Sequence, residues 1–172
     1  MAEKIRIDTR ALSVEDAAAF QKIRLEGILD SPTAFGSSNE EEVQFSLARV
    51  EERLAPSVEK AVFGAFVEDK LVGVTGIRRE SQLKLRHKAS IWGVYVKPDY
   101  RGYRIGRGLL EAAIDCAKSI EGVRQTTLTV TSLNVSALAL YLSLGFVEFG
   151  QEPDALSIDG EYYDEKYLSL ML

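Results

Sequence analysis

From Val94 to Gly108 the chain reads VYVKPDYRGYRIGRG, and it runs straight into Leu109, Leu110, Glu111, Ala112 and Ala113. An apolar strand ends, a turn rich in arginine and glycine follows, and an amphipathic helix begins. This segment constrains the fold most, because that order builds an anion site. The first amides of a helix lack intrahelical partners and point outward at its positive end. Glycines there let the backbone close on a phosphate with no side chain in the way. Arg101, Arg104 and Arg107 add positive charge at the same place.

The rest of the chain supplies strands and helices around this turn. Lys4 to Asp8 alternates as a first strand. Ser13 and Asp16 have the spacing of a capping box. In the helix that follows, Val14, Ala18, Leu25, Ile28 and Leu29 fall on one face at a 3.6 period. Ser31, Pro32 and Gly36 to Ser38 mark a loop. A second helix runs from Glu40 to Leu54, with Val43, Leu47, Val50 and Leu54 aligned and Pro56 just beyond it. Ala61–Val67, Leu71–Arg78 and Ala89–Val96 read as strands, the first two joined by a hairpin at Glu68–Lys70. Arg79 to Lys88 is polar and reads as an exposed second hairpin. The helix after the turn spans Arg107 to Ser119, with Leu109, Leu110, Ala113, Ile114 and Ala117 inward. Gln125–Thr131 is a strand, and Asn134 caps a short helix to Ser143 that stops near Gly145. Phe146–Phe149 and Tyr162–Leu172 are the last strands. Alternation of strands and helices in the second half predicts an α/β layer structure, and the 172 residues suit one domain, 1–172.

Bulk numbers exclude several classes. The net charge of −5 argues against broad nucleic-acid binding, which needs a basic face, yet leaves room for a local basic pocket. A lone cysteine, Cys116, excludes an internal disulfide and points to a reducing compartment. One histidine, His87, without a cysteine/histidine cluster argues against zinc. No apolar run approaches the ~18 residues that span a bilayer, and no signal peptide is evident. A cytoplasmic protein without membrane or nucleic-acid partners is expected.

Two motifs together resemble the GNAT superfamily of acyl-coenzyme A-dependent N-acyltransferases. The first is Arg/Gln-x-x-Gly-x-Gly/Ala, here Arg101, Gly102, Tyr103, Arg104, Ile105 and Gly106, preceded by the strand from Ile91 to Val96. The second is Asn-x-x-Ala-x-x-Leu-Tyr-x-x-x-Gly-Phe, complete as Asn134, Ala137, Leu140, Tyr141, Gly145 and Phe146. The likeness covers Ala61 to Leu172 well and the N-terminal helices loosely. It implies a mixed, mostly antiparallel central sheet of about seven strands. Helices cover both faces, and two central parallel strands splay apart. It implies acetyl-CoA as co-substrate, a primary amine of a small molecule or peptide as acceptor, and no metal.

By the same resemblance, backbone amides from Arg101 to Arg107 wrap the pyrophosphate, and backbone groups of Val94, Tyr95 and Val96 take the pantetheine arm as an added strand. Asn134 becomes a contact to cofactor or substrate as well as a helix cap. Tyr141 becomes the general acid that protonates the departing thiolate. Arg104 departs from the pattern, standing where a glycine is usual. Gly102 and Gly106 flank it, which favours a turn already helical at 104, where arginine is unstrained. No carboxylate lies between Ser90 and Val96, so the base is open among Glu40, Glu41, Glu42, Asp164 and a water chain. Trp92, Tyr162 and Tyr163 are either core or acceptor-pocket aromatics. Exposed strand edges of such a domain lend themselves to a homodimer. The alternative reading is a non-catalytic acyl-CoA-binding or regulatory module, motivated by Arg104 and the missing strand carboxylate; a general nucleotide-phosphate binder is a third.

Overall fold

In a computed structural model that describes residues 5–172, seven strands form one sheet. They are β1 (Ile7–Ala11), β2 (Lys60–Val67), β3 (Lys70–Arg79), β4 (Lys88–Val96), β5 (Gln125–Thr131), β6 (Val147–Ile158) and β7 (Glu161–Met171). Their spatial order is β1-β2-β3-β4-β5-β7-β6. Every neighbouring pair is antiparallel except β4 and β5. The helices are α1 (Ala17–Asp30), α2 (Asn39–Glu42), α3 (Leu47–Leu54), α4 (Ile105–Ser119) and α5 (Val135–Ser143). Of the expected first strand, Lys4 lies outside the described residues; β1 itself begins later, at Ile7. No helix among the described residues is long and apolar enough to cross a membrane.

Strand β3 explains the layering. Leu71 to Ile77 are all buried, so both faces of the strand must be covered. Val72 packs with Ala65, Ile105 and Leu109 on the α4 face. Val74 packs with Phe20, Ile23 and Val50 on the face of α1 and α3. The inward set expected for α4 is buried as read, with Leu109, Leu110, Ala113 and Ala117 fully so. Tyr141 and Phe146 join the same cluster from α5 and its exit.

Three expectations need correction. The buried face of α1 is Ala17, Phe20, Ile23, Arg24, Gly27 and Ile28, while Leu29 is 70% exposed. Apolar residues occur almost all round this helix, so periodicity selects no single face; packing against sheet and α3 does. The single helix from Glu40 to Leu54 is two, because Ser46 starts a new helix by accepting from the Arg49 amide at 3.3 Å. Val43 and Leu47 are consequently exposed. Strand β6 runs well beyond Phe149, to Ile158, along β7 with two register shifts.

The break between α2 and α3 turns Glu42 inward, where it is fully buried. Arg24 Nη2 donates to it at 2.6 Å, Arg53 Nη1 at 3.1 Å and Ser37 Oγ at 2.9 Å. Burial pushes the Glu42 carboxyl up, but the hydrogen bond and charge of Arg24, then Arg53 and Ser37, outweigh it and hold the group below its ordinary value. Removing one partner of such a buried pair leaves the other charge uncompensated. Glu42→Ala should therefore cost about 3 kcal/mol or more in urea unfolding. The paired carboxylates also set the acid limit. Asp16, bonded to Arg10 at 2.8 Å, is lowered to about 2. Groups lowered by folding contribute stability above their unfolded pKa and lose it as pH falls through the folded one. Unfolding free energy should decline below the ordinary carboxylate range and continue falling toward pH 2, and a flat profile there would contradict these pairs.

Candidate active site

The parallel pairing of β4 and β5 is only three residues long: Lys88 with Gln125, Ala89 with Thr126 and Ser90 with Thr127. Beyond it β5 stays with β7 to Thr131, while β4 stays with β3 to Val96. A gap therefore opens between the two central strands. A bulge in β4 widens it: Gly76 pairs with Trp92 and Val74 with Tyr95, so Gly93 and Val94 together oppose Thr75. Gly93 has φ of +63°, which L side chains rarely adopt.

The arginine- and glycine-rich turn lines a cleft with Val94 and Asn134 at this gap. Among the described residues, no backbone or side-chain acceptor serves the amides of residues 102–107; the first amide in hydrogen bond after the turn is Gly108, to the Arg104 carbonyl at 3.1 Å. Six successive free donors at a helix start form an anion cradle. Gly102 has φ of +86°. Arg104 does not lie in helix, contrary to the expectation: its φ is +62° and ψ +16°, and α4 begins at Ile105. A left-handed residue reverses the chain there, just before the helix. The conformation costs an L side chain about 1–2 kcal/mol.

The arginine side chains are partly committed to protein. Arg101 donates from Nε to the Val96 carbonyl at 2.9 Å and from Nη2 to Asp30 at 2.7 Å, so one lone pair of that carbonyl is already engaged. Arg107 reaches Ser143 Oγ at 2.7 Å, tying α4 to α5. Tyr95 is buried against Phe35, its hydroxyl 3.3 Å from Asp30, and burial, then that carboxylate, pushes it up to about 12. A cleft of about 740 Å³ runs along the turn. It is lined by Val94, Tyr95, Val96, Arg101, Gly102, Arg104, Ile105, Gly106, Arg107 and Asn134. The expected cofactor residues thus converge on one cleft, except Tyr103, which is 49% exposed and does not line it.

At its inner end the cleft meets a second cavity of about 290 Å³ inside the splay, sharing Val94, Asn134, Ala137 and Leu140 with it. Tyr141 lines this inner cavity, and burial pushes its phenol up to about 12. Asn134 Oδ1 accepts from the Ala137 amide at 3.1 Å, the expected cap. The carboxylate that reaches the cavity is Glu165 on β7. Burial first, then the neighbouring Glu152 charge, raises its pKa. Thr131 Oγ1, buried and without a partner, lies in the same lining.

Glu165 was not among the residues singled out in the sequence; Asp164 was. Strand alternation turns adjacent residues to opposite faces, and only the register of β7 against β5 decides which one meets the gap. Asp164 instead accepts from the Asp154 amide and from Gln151, which in that order lower its pKa. The other carboxylates read as bases are placed elsewhere: Glu40 is exposed, Glu41 bonds the Ser38 amide at 2.8 Å, and Glu42 is locked in its ion pairs. Cys116 lines none of these cavities, and burial raises its thiol, so it is no activated nucleophile. Trp92 does line a pocket, described below, whereas Tyr162 is 64% exposed.

Residues 27–146 match the model of the acetyltransferase (GNAT) family. Among curated proteins, a spermidine N(1)-acetyltransferase of Vibrio cholerae is 27% identical over 105 residues, covering 61% of this chain and 61% of that protein. An L-amino acid N-acyltransferase of Escherichia coli is 37% identical over 79 residues, 46% of this chain and 45% of that one. The match thus spans less than two thirds of either relative. Among solved structures, a Salmonella typhimurium chain with its cofactor acetyl-CoA superposes with a TM-score of 0.79 at 23% identity, covering 96% of this chain and 93% of that one.

Arg104 separates backbone from side chain as the source of anion binding. Arg104→Gly keeps the left-handed turn and removes only the guanidinium. It should leave stability unchanged or raise it by up to about 1 kcal/mol. If the amides are the main grip, pyrophosphate affinity by calorimetry should stay within about threefold. A loss of a hundredfold would shift the grip to the side chain.

Proposed function

This chain belongs to the acetyltransferase (GNAT) family, and we propose that it transfers the acetyl group of acetyl-CoA directly to a primary amine of a small molecule or peptide. The observation that carries the reading is the run of free amides at residues 102–107 leading by one continuous cleft into a splay that holds Tyr141 and Glu165. The cradle suits a pyrophosphate, and the open edge of β4 suits the extended amide arm that follows it. The two curated relatives are named for spermidine and for an L-amino acid, so kinship leaves the acceptor open.

The residues divide the chemistry as follows. The amides of residues 102–107 bind the diphosphate, and Val94 at the bulge borders both cavities, where its backbone can orient the thioester. Acetyl-CoA supplies an activated acyl carbon and a thiolate leaving group. Glu165 takes a proton from the ammonium form of the acceptor. The freed nitrogen forms the C–N bond, a backbone amide near Val94 stabilises the oxyanion, and the C–S bond breaks. Tyr141 gives its proton to the sulfur. Its phenolate then takes the surplus proton of the acylated nitrogen, which leaves a neutral amide and restores the phenol; the proton on Glu165 passes to water. The raised pKa of Tyr141 keeps it protonated across the neutral range. Holding both substrates in line supplies much of the rate.

Thiol release with acetyl-CoA and a panel of amines tests the reading. Coenzyme A binding without transfer to any amine would favour the non-catalytic module instead. Tyr141→Phe should lower kcat about a hundredfold and leave the KM for acetyl-CoA unchanged. Glu165 must be ionised to act, so kcat/KM should rise with pH along a limb set above the ordinary carboxylate range, and Glu165→Gln should abolish that limb. An unaltered limb in the variant would remove Glu165 from the role.

A further inference from the structure

A third cavity, of about 840 Å³, lies on the opposite side of β4 from the phosphate turn, under α2 and α3. It meets the splay cavity at Arg24, Gly36 and Trp92, which line both. An acceptor entering here would reach the thioester from the side away from the coenzyme. We infer that this is the acceptor pocket and that it takes a small amine bearing a carboxylate a short distance from its nitrogen, as amino acids do; the inference rests on the acetyl-transfer reading above.

Charge carries the first half of the argument. Five cations line the cavity: Arg24, Arg49, Arg53, Lys60 and Arg78. The lining carboxylates are Glu41 and Glu42. Glu42 is shared by Arg24 and Arg53, and Glu41 is turned to the Ser38 amide. Lys60 bonds only the Glu52 carbonyl, and Arg49 lies 3.8 Å over the Phe45 ring. Among the described residues, neither Arg49 nor Arg78 has a carboxylate within salt-bridge range, and both are exposed. The wall therefore keeps an excess of positive charge although the whole chain is at −5. Such a pocket repels a polyamine and attracts an anion.

The second half comes from orphaned donors at the junction. Arg24 is 6% exposed, and its Nε is buried with no hydrogen-bond partner. Trp92 Nε1 is likewise buried and unpartnered. Only Arg24 Nη2 is bonded to protein; Nη1 would sit 3.0 Å from a side chain at Gly93, against the β4 bulge. Buried donors without acceptors are uncommon and call for a partner, which a bound ligand can supply. Both hydrogens of Arg24 Nη2 are taken by Glu42 and Ser37, so a ligand carboxylate, with four lone-pair sites, would accept from the remaining single N–H groups. Held there, it sets the attached amine at the mouth of the splay, toward Glu165 and Tyr141.

The test compares matched acceptors with acetyl-CoA: L-amino acids, their carboxamides, and a simple diamine. The acids should exceed their carboxamides in kcat/KM by about tenfold or more, and rising salt should raise the KM of the acids. Arg49→Gln and Arg78→Gln, at exposed positions that carry no fold ion pair, should each shrink the acid-over-amide preference by about fivefold through KM. Carboxamides or the diamine reacting as well as the acids would overturn the assignment, as would an unchanged preference in both variants. If coenzyme A binds but no amine reacts, the transfer reading fails, and the pocket is judged by calorimetry with an N-acetyl-L-amino acid: binding weakened by the two variants supports the anion site, and no binding overturns it.

Discussion

Everything functional in this molecule follows from the shortness of one strand pairing. β4 and β5 share three residue pairs and then part. Parallel strands in a closed sheet would satisfy each other's backbone groups along their whole length. Here β4 is left with an unpaired edge facing the gap, and β5 is drawn off to β7. The gap persists because both strands are held on their outer sides, β4 by β3 and β5 by β7, and because Gly93 bulges the strand where a regular pleat would narrow it. The cleft along the turn, the splay cavity and the cavity under α2 and α3 adjoin one another along that line.

Local chemistry was legible in the sequence wherever it was carried by contiguous residues. The strand–turn–helix from Val94, the Asn134 cap, the inward face of α4 and the complete second motif are all local patterns, and the fold around them is the mixed sheet the resemblance implies. What escaped needed contacts distant in sequence. Arg24 and Glu42 are separated by the loop between α1 and α2, and nothing local marks either as buried. Glu165 depended on strand register. Arg104 differs: flanking glycines are compatible with a helical or a left-handed residue between them, and only the path of the turn into α4 selects the left-handed state.

Arg101 shows how a motif residue acquires a second task. Its guanidinium joins Asp30, at the end of α1, to the Val96 carbonyl at the end of β4, and it stacks 5.7 Å from the Tyr95 ring centroid. The pair is half exposed, so its net stabilisation is small. Its consequence is geometric. It fixes the end of α1 over the start of the phosphate turn, and Asp30 is thereby lowered and held anionic beside the anion cradle. A carboxylate in that place would oppose a diphosphate if it were unpaired; paired with Arg101 it is neutralised.

Charge is distributed by function rather than evenly. Arg101, Arg104 and Arg107 border the cleft along the turn, and Arg24, Arg49, Arg53, Lys60 and Arg78 border the cavity under α2 and α3. These eight of the 21 basic residues sit at the two cavities, in a chain with 26 acidic ones. The remaining surface is correspondingly acidic. A low-dielectric cavity focuses the field of its lining, while surface charges farther than about 8–10 Å away are screened at physiological salt. Both cavities therefore present a positive potential that the net charge conceals. Between them, the splay carries the carboxylate of Glu165 and the neutral phenol of Tyr141. Two positive pockets meeting at one carboxylate would gather two anionic molecules and leave the proton acceptor where their reacting groups join.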